Sequence, residues 1–123
     1  MAELDELFSG VNRAKDPNDL SDLEKKHLPV LSAPDTVKAG EFFEVTVEVG
    51  KLLAHPNDPD HHISFIQLYV GDVYLARLDL VPVRTQPVMR TLVRLDKDLG
   101  PLRAFEYCNI HGAWEADQAI AVK

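Results

Sequence analysis

Cysteine is almost missing from this sequence: Cys108 is the only one in 123 residues. One cysteine excludes an intramolecular disulfide and a Cys-x-x-Cys redox pair, and it is too little sulfur for the usual structural zinc site. Long apolar runs are missing too, none approaching about eighteen residues, so no transmembrane helix is expected. Basic residues are the minority, 13 Lys and Arg against 20 Asp and Glu, and the net charge of −7 leaves no footprint for nucleic acid. That charge repels a small anion from the protein as a whole. Attraction therefore has to come from local positive charge, a lysine or a bound cation. The opening Met1-Ala2-Glu3-Leu4-Asp5-Glu6 is acidic rather than basic-then-apolar, which argues against a signal peptide and for a cytoplasmic protein.

What is present is a chain of alternating pattern. At 123 residues and 46% apolar, it has enough for one hydrophobic core but not for two. Residues 3–9 allow a short amphipathic helix. Asp19 or Ser21 can cap a helical turn running to His27, which Pro29 then ends. From Val30 the period changes to two. Phe43, Val45, Val47 and Val49 alternate with polar residues, as do Met89, Thr91, Val93 and Leu95. Gly71-Asp72 separates Ile63–Val70 from Val73–Leu80, which suits a type II′ hairpin with Tyr74, Ala76, Leu78 and Leu80 on the apolar face of its second arm. With Val30-Leu31, Leu102–Tyr107 and Ala119–Val122, about seven short strands are expected, and no helix long enough to build a layer. The fold class is all-β, a sandwich with a short helical N-terminal segment.

The chemistry gathers in three places. His27 follows the helical turn, and His55, His61 and His62 crowd a loop broken by Pro56 and Pro59. Cys108 and His111 stand three residues apart just after an apolar run. A lone cysteine is most often a buried small hydrophobe, and loop histidines are commonly only solvated. Taken together, these residues read better as a nitrogen-rich metal site with one thiolate. Imidazole suits Zn, Cu, Fe and Ni, and a thiolate adds a soft donor. Four nitrogens in a plane with one sulfur below would suit iron and leave a sixth position for a small molecule. Trp114 is expected in the core or as a wall beside the site, and His62 as a supporting group.

Glu24-Lys25-Lys26-His27-Leu28-Pro29-Val30, His55-Pro56-Asn57 through His61-His62, and Cys108-Asn109-Ile110-His111-Gly112 resemble the three signature segments of the superoxide reductase family, which includes neelaredoxin and the C-terminal iron domain of desulfoferrodoxin. The resemblance runs from about Asp22 to the end of the chain. It implies an immunoglobulin-like β-sandwich over 27–123 behind an N-terminal extension, 1–26, with one iron per chain cycling between Fe2+ and Fe3+. The implied ligands are His27, His55, His61 and His111 in the plane and Cys108 on the axis. The implied reaction is one-electron reduction of superoxide to hydrogen peroxide, with a rubredoxin-like electron donor and a homo-oligomer, a tetramer or a dimer. Lys26 matches the family's lysine, which attracts the anion. The family's usual Glu-Lys-His begins with a glutamate that fills the sixth position. Here Lys25 stands in that slot and Glu24 lies one residue earlier, so either Glu24 reaches in from a shifted turn or the ferric site rests with water or an open position, and the second is the expectation. The four further cysteines of a desulforedoxin-like module are absent from this sequence.

Two other classes compete. A cupredoxin-like copper protein also carries a Cys and a His on a late loop, but it wants a methionine soon after His111, and the methionines here are Met1 and Met89. A non-catalytic metal-binding sandwich module is the other.

Overall fold

Period-two alternation folds as strand wherever one face can be buried. The computed structural model describes Phe8 and residues 10–123, and the expected helix over residues 3–9 falls outside them apart from Phe8. The strands are β1 (Val11–Asn12), β2 (Pro29–Ser32), β3 (Thr36–Val37), β4 (Phe42–Val49), β5 (Ile63–Val70), β6 (Val73–Asp79), β7 (Val88–Arg94), β8 (Leu102–Cys108), β9 (Gly112–Gln118) and β10 (Ala121–Val122), with helix α1 (Asp22–His27) before β2. One sheet runs β1-β9-β8-β5-β6 and the other β2-β4-β7, while β3 and β10 form a separate parallel pair.

The two sheets close on one core. Val45, Val47 and Val49 of β4 and Met89 and Val93 of β7 meet Ile66, Leu68 and Val70 of β5 and Leu102 and Ala104 of β8. The fold is the expected immunoglobulin-like β-sandwich with a short helix in its N-terminal segment. No helix among the described residues is long and apolar enough to cross a membrane.

Three strands, β1, β3 and β9, and the facing of one residue differ from the sequence expectation. The strand β9 was not foreseen, because Gly112-Ala113-Trp114-Glu115-Ala116-Asp117-Gln118 offers small and charged residues where β-branched ones are usual. It forms because it is the return arm of a hairpin and pairs with β8 along its whole length. Tyr74 was expected on the inner face of β6, but a register irregularity pairs Leu68 with Ala76 and Tyr69 with Tyr74. One extra residue reverses the faces beyond it. Leu75 therefore packs on the core, and Tyr74 is exposed with its ring against Tyr69.

Candidate metal centre

Each candidate ligand is placed by a local device. Ser21 caps α1, and Pro29 forces Leu28 into an extended conformation (φ −63°, ψ 125°), so the helix stops at His27. Its ring is buried at 1% exposure. The turn before His55 depends on Gly50, whose φ is +85° and whose missing Cβ would lie 2.8 Å from the His55 backbone nitrogen. Replacing Gly50 with alanine therefore adds both backbone strain and a clash. The expected loss is about 1–3 kcal/mol of stability, read as a lower Tm together with lower metal occupancy. His61 closes a tight turn in which it exchanges backbone hydrogen bonds with Asp58 at 2.9 and 3.2 Å. Cys108 and His111 sit on the β8–β9 hairpin, where Cys108 pairs with Gly112 and Gly112 takes φ +79°.

These devices converge. Ligand atoms of His27, His55, His61 and Cys108 all lie within 4.8 Å of one another. His111 joins them through Nδ1, 3.2 Å from His27 Nε2 and 3.9 Å from Cys108 Sγ. The His55 Nε2 atom is 3.4 Å from the same sulfur.

The protons decide what this cluster is. His27 Nδ1 is 2.7 Å from the Leu23 carbonyl and His55 Nδ1 is 2.6 Å from the Pro56 carbonyl. A carbonyl only accepts, so both Nδ1 atoms carry the hydrogen and both neutral rings leave a bare lone pair on Nε2. Those two Nε2 atoms face each other at 3.1 Å, where two lone pairs cannot form a hydrogen bond. His61 Nε2 is buried with no partner. Metal–nitrogen bonds of about 2.1 Å place neighbouring ligands of a right-angled centre roughly 3 Å apart, close to the spacing seen. The donor set fits a metal ion, and the carbonyl contacts are the kind of outer support that fixes a ligating imidazole.

The desulfoferrodoxin family profile matches residues 19–117. This chain belongs to the desulfoferrodoxin family. Among its relatives, neelaredoxin of Megalodesulfovibrio gigas is 35% identical over 117 residues, covering 80% of this chain and 89% of the relative. A superoxide reductase of Thermococcus kodakarensis is 38% identical over 107 residues, covering 78% and 88%. Among solved structures, the superoxide reductase (neelaredoxin) from Ignicoccus hospitalis superposes with a TM-score of 0.80 at 34% identity, over 96% of this chain and 97% of that one.

In this member of the desulfoferrodoxin family, burial governs the electrostatics of the cluster. Desolvation pushes the His27 imidazole down to about 4, against its hydrogen bond to the Leu23 carbonyl; the charges of His55, His111 and His61 push the same way. His55 also falls to about 4, again chiefly by burial, with the charges of His61, His111 and Lys26 adding to it. Burial raises the Cys108 thiol, while backbone N–H groups of His111 and Ile110 favour its thiolate. The His111 N–H lies 3.4 Å from the sulfur. A metal ion supplies the positive charge that an apolar setting withholds from a thiolate.

The other predicted residues are placed as follows. Lys26 adjoins His27 at the end of α1, and its charge adds to the burial that lowers the imidazoles of His55 and His111. Glu24 is buried, but its carboxylate accepts from the backbone of Ser21 and Lys15. His62 turns to the Asp58 carbonyl at 3.1 Å. Trp114 is a wall: its ring stacks on His27 with centroids 5.0 Å apart, and its Nε1–H donates to the His111 carbonyl.

Three supporting residues went unread in the sequence. Asn109 joins two ligand loops: its amide donates to the Asp60 carbonyl, its oxygen accepts from the His62 N–H, and its own N–H donates to the His62 carbonyl. Asn57 does the same for the loop after β6, accepting from Val83 N–H and donating to the Thr85 carbonyl. Glu106, 1% exposed with both oxygens unpartnered, stands two residues before Cys108 on the inner face of β8, and burial raises its carboxyl well above the usual range. The alternation Leu102, Ala104, Glu106, Cys108 carried that signal, since period two places all four inside.

Proposed function

We propose that this chain is a superoxide reductase, taking up one superoxide, one electron and two protons and releasing hydrogen peroxide. The observation that carries the reading is the pair of facing, unprotonated Nε2 atoms of His27 and His55 beside the Cys108 sulfur, in a chain whose relatives bear that name. One iron per chain would be held by nitrogens of His27, His55, His61 and His111 and by the sulfur of Cys108, and it supplies the one-electron chemistry. His27 and His55 keep their lone pairs turned inward because each Nδ1–H is committed to a carbonyl. Cys108, fully buried against the core, would supply the electron-rich sulfur donor to that iron, as a thiolate does for haem iron. Trp114 excludes water from the His27 face.

In a chain of net charge −7, Lys26 is the local cation that draws the anion to the site. We extend the reading to a small rubredoxin-like electron donor, a homo-oligomer, and a cytoplasmic setting. Within the extension 1–26, residues 11–15 serve the sandwich 27–123 as a strap, for which the pairing of β1 with β9 is the support.

A copper electron-transfer role is disfavoured by the donor set. Met89 lies in the core, and more than two imidazoles crowd the sulfur. The deciding measurement mixes ferrous protein with superoxide by pulse radiolysis or stopped flow. Rapid oxidation with one peroxide formed per superoxide is expected. Iron-loaded protein that superoxide does not oxidise would leave only a non-catalytic metal-binding module. In the same assay Lys26→Ala is expected to slow oxidation by roughly tenfold at low salt and to flatten its ionic-strength dependence. An unchanged low-salt rate would remove Lys26 from the reaction.

A further inference from the structure

We infer that Asn109 is the positioning residue for His61: it fixes this imidazole relative to the Cys108 sulfur by gripping the backbone on both sides of it. The inference rests on the metal centre proposed above and concerns how one of its ligands is held.

The clustered imidazoles are not all oriented in the same way. His27 and His55 are each fixed through the ring, with Nδ1–H on a carbonyl at 2.7 and 2.6 Å. The His61 ring makes no hydrogen bond among the described residues, and its Nε2 is buried without a partner. It packs against the rings of His55 and His111, with centroids 4.8 and 5.1 Å apart. A ring without an outer hydrogen bond takes its direction from the backbone that carries it.

That backbone is bonded at every group. The N–H and C=O of His61 both go to Asp58 and close the turn. The flanking groups go to Asn109. Its Nδ2 donates to the Asp60 carbonyl at 2.9 Å, its Oδ1 accepts from the His62 N–H at 2.8 Å, and its own N–H donates to the His62 carbonyl at 3.2 Å. A carbonyl only accepts and an N–H only donates, so the amide fits one way round. The Asp58 bonds shape the turn without saying where it stands, because both partners belong to it. Asn109 supplies the placement: it lies 47 residues beyond His62 and directly follows Cys108, so the turn that carries His61 is tied to the hairpin that carries the sulfur.

Asn109 is itself exposed, and water can replace its bonds when the side chain is removed. Cys108 still pairs with Gly112 and Ile63. The loss therefore falls on the placement of His61 more than on the sandwich.

The test is a double-mutant cycle of Asn109 with His61 on the full chain. Its readout is the Fe2+ dissociation constant, measured anaerobically by competition with a chromophoric chelator. Asn109→Asp is isosteric and keeps the acceptor for the His62 N–H, but it sets an oxygen against the Asp60 carbonyl. It is expected to weaken Fe2+ binding by about tenfold or more, with the metal-free Tm within about 5 °C of the parent. His61→Ala is expected to weaken binding by about a hundredfold. In the double variant the loss equals that of His61→Ala alone within about twofold, since nothing is left for Asn109 to position. Asn109→Ala, which removes both side-chain bonds and adds no repulsion, carries the same cycle if the aspartate variant does not fold. Losses that multiply, or Asn109 variants that bind Fe2+ as the parent does, overturn the inference and leave the centre standing. A His61→Ala chain that binds Fe2+ as tightly as the parent removes His61 from the ligands, and a parent that binds no Fe2+ removes the centre; the inference falls with either.

Discussion

Cys108→Ser is expected to abolish the visible thiolate-to-ferric band of the oxidised protein and to slow superoxide reduction by about a hundredfold or more. Sulfur is the only soft donor in the cluster, and an alkoxide or hydroxyl at the same place returns far less electron density. The substitution is nearly isosteric and the position is fully buried. The His111 N–H that reaches Sγ at 3.4 Å can reach a hydroxyl oxygen as well, so the sandwich should survive. Circular dichroism and Tm check the fold, the absorption spectrum checks the band, and the peroxide yield checks the reaction. A folded serine variant that keeps both band and rate would show that the sulfur is not a ligand.

Acid should unfold the metal-free protein early. His27 and His55 are each depressed to about 4 from an ordinary 6.5, chiefly by burial. Between those values the unfolded chain binds protons that the folded chain refuses, so stability rises with pH across this window and falls as pH drops from 6.5 toward 4. The loss for His27 alone, which is 1% exposed, is about 3 kcal/mol by the usual conversion of pKa shift to free energy. That is a large part of the margin of a domain this size. Chelator-treated protein melted at several pH values tests this. His27→Gln should flatten the curve, and a Tm that stays level from pH 6.5 to 4 would contradict the burial of the rings. In the metal-loaded protein the same lone pairs are taken by the ion, so loading should steepen the loss over the pH range where protons displace it.

The clustered side chains were legible because their clues are local. A cysteine and a histidine three residues apart after a strand, and histidines in a proline-broken loop, are read without knowing the fold. The sandwich was legible for the same reason, since alternation in β4, β5 and β7 is a short-range pattern. The hidden parts depended on partners distant in sequence. Strand β9 exists through β8 despite poor propensity, and Tyr74 turned outward because of one irregular residue in the pairing of β5 with β6.

Glu24 makes the same point at the site. Its sequence neighbourhood offers a ligand one residue out of place and, read three residues back to Ser21, a capping box. Only the arrival of the Lys15 N–H, nine residues earlier, commits its second oxygen.

By itself the sequence determined which atoms could bind a metal, how few sulfurs there were, and which faces of the strands had to be buried, because composition and short spacings carry that information. The tertiary structure alone decided that His27 and His111, 84 residues apart, stand with their ring nitrogens 3.2 Å from each other, that two imidazoles hold their lone pairs toward each other, and that Glu24 serves the helix. Those outcomes depend on hydrogen bonds and burial between segments that meet only once the two sheets have closed.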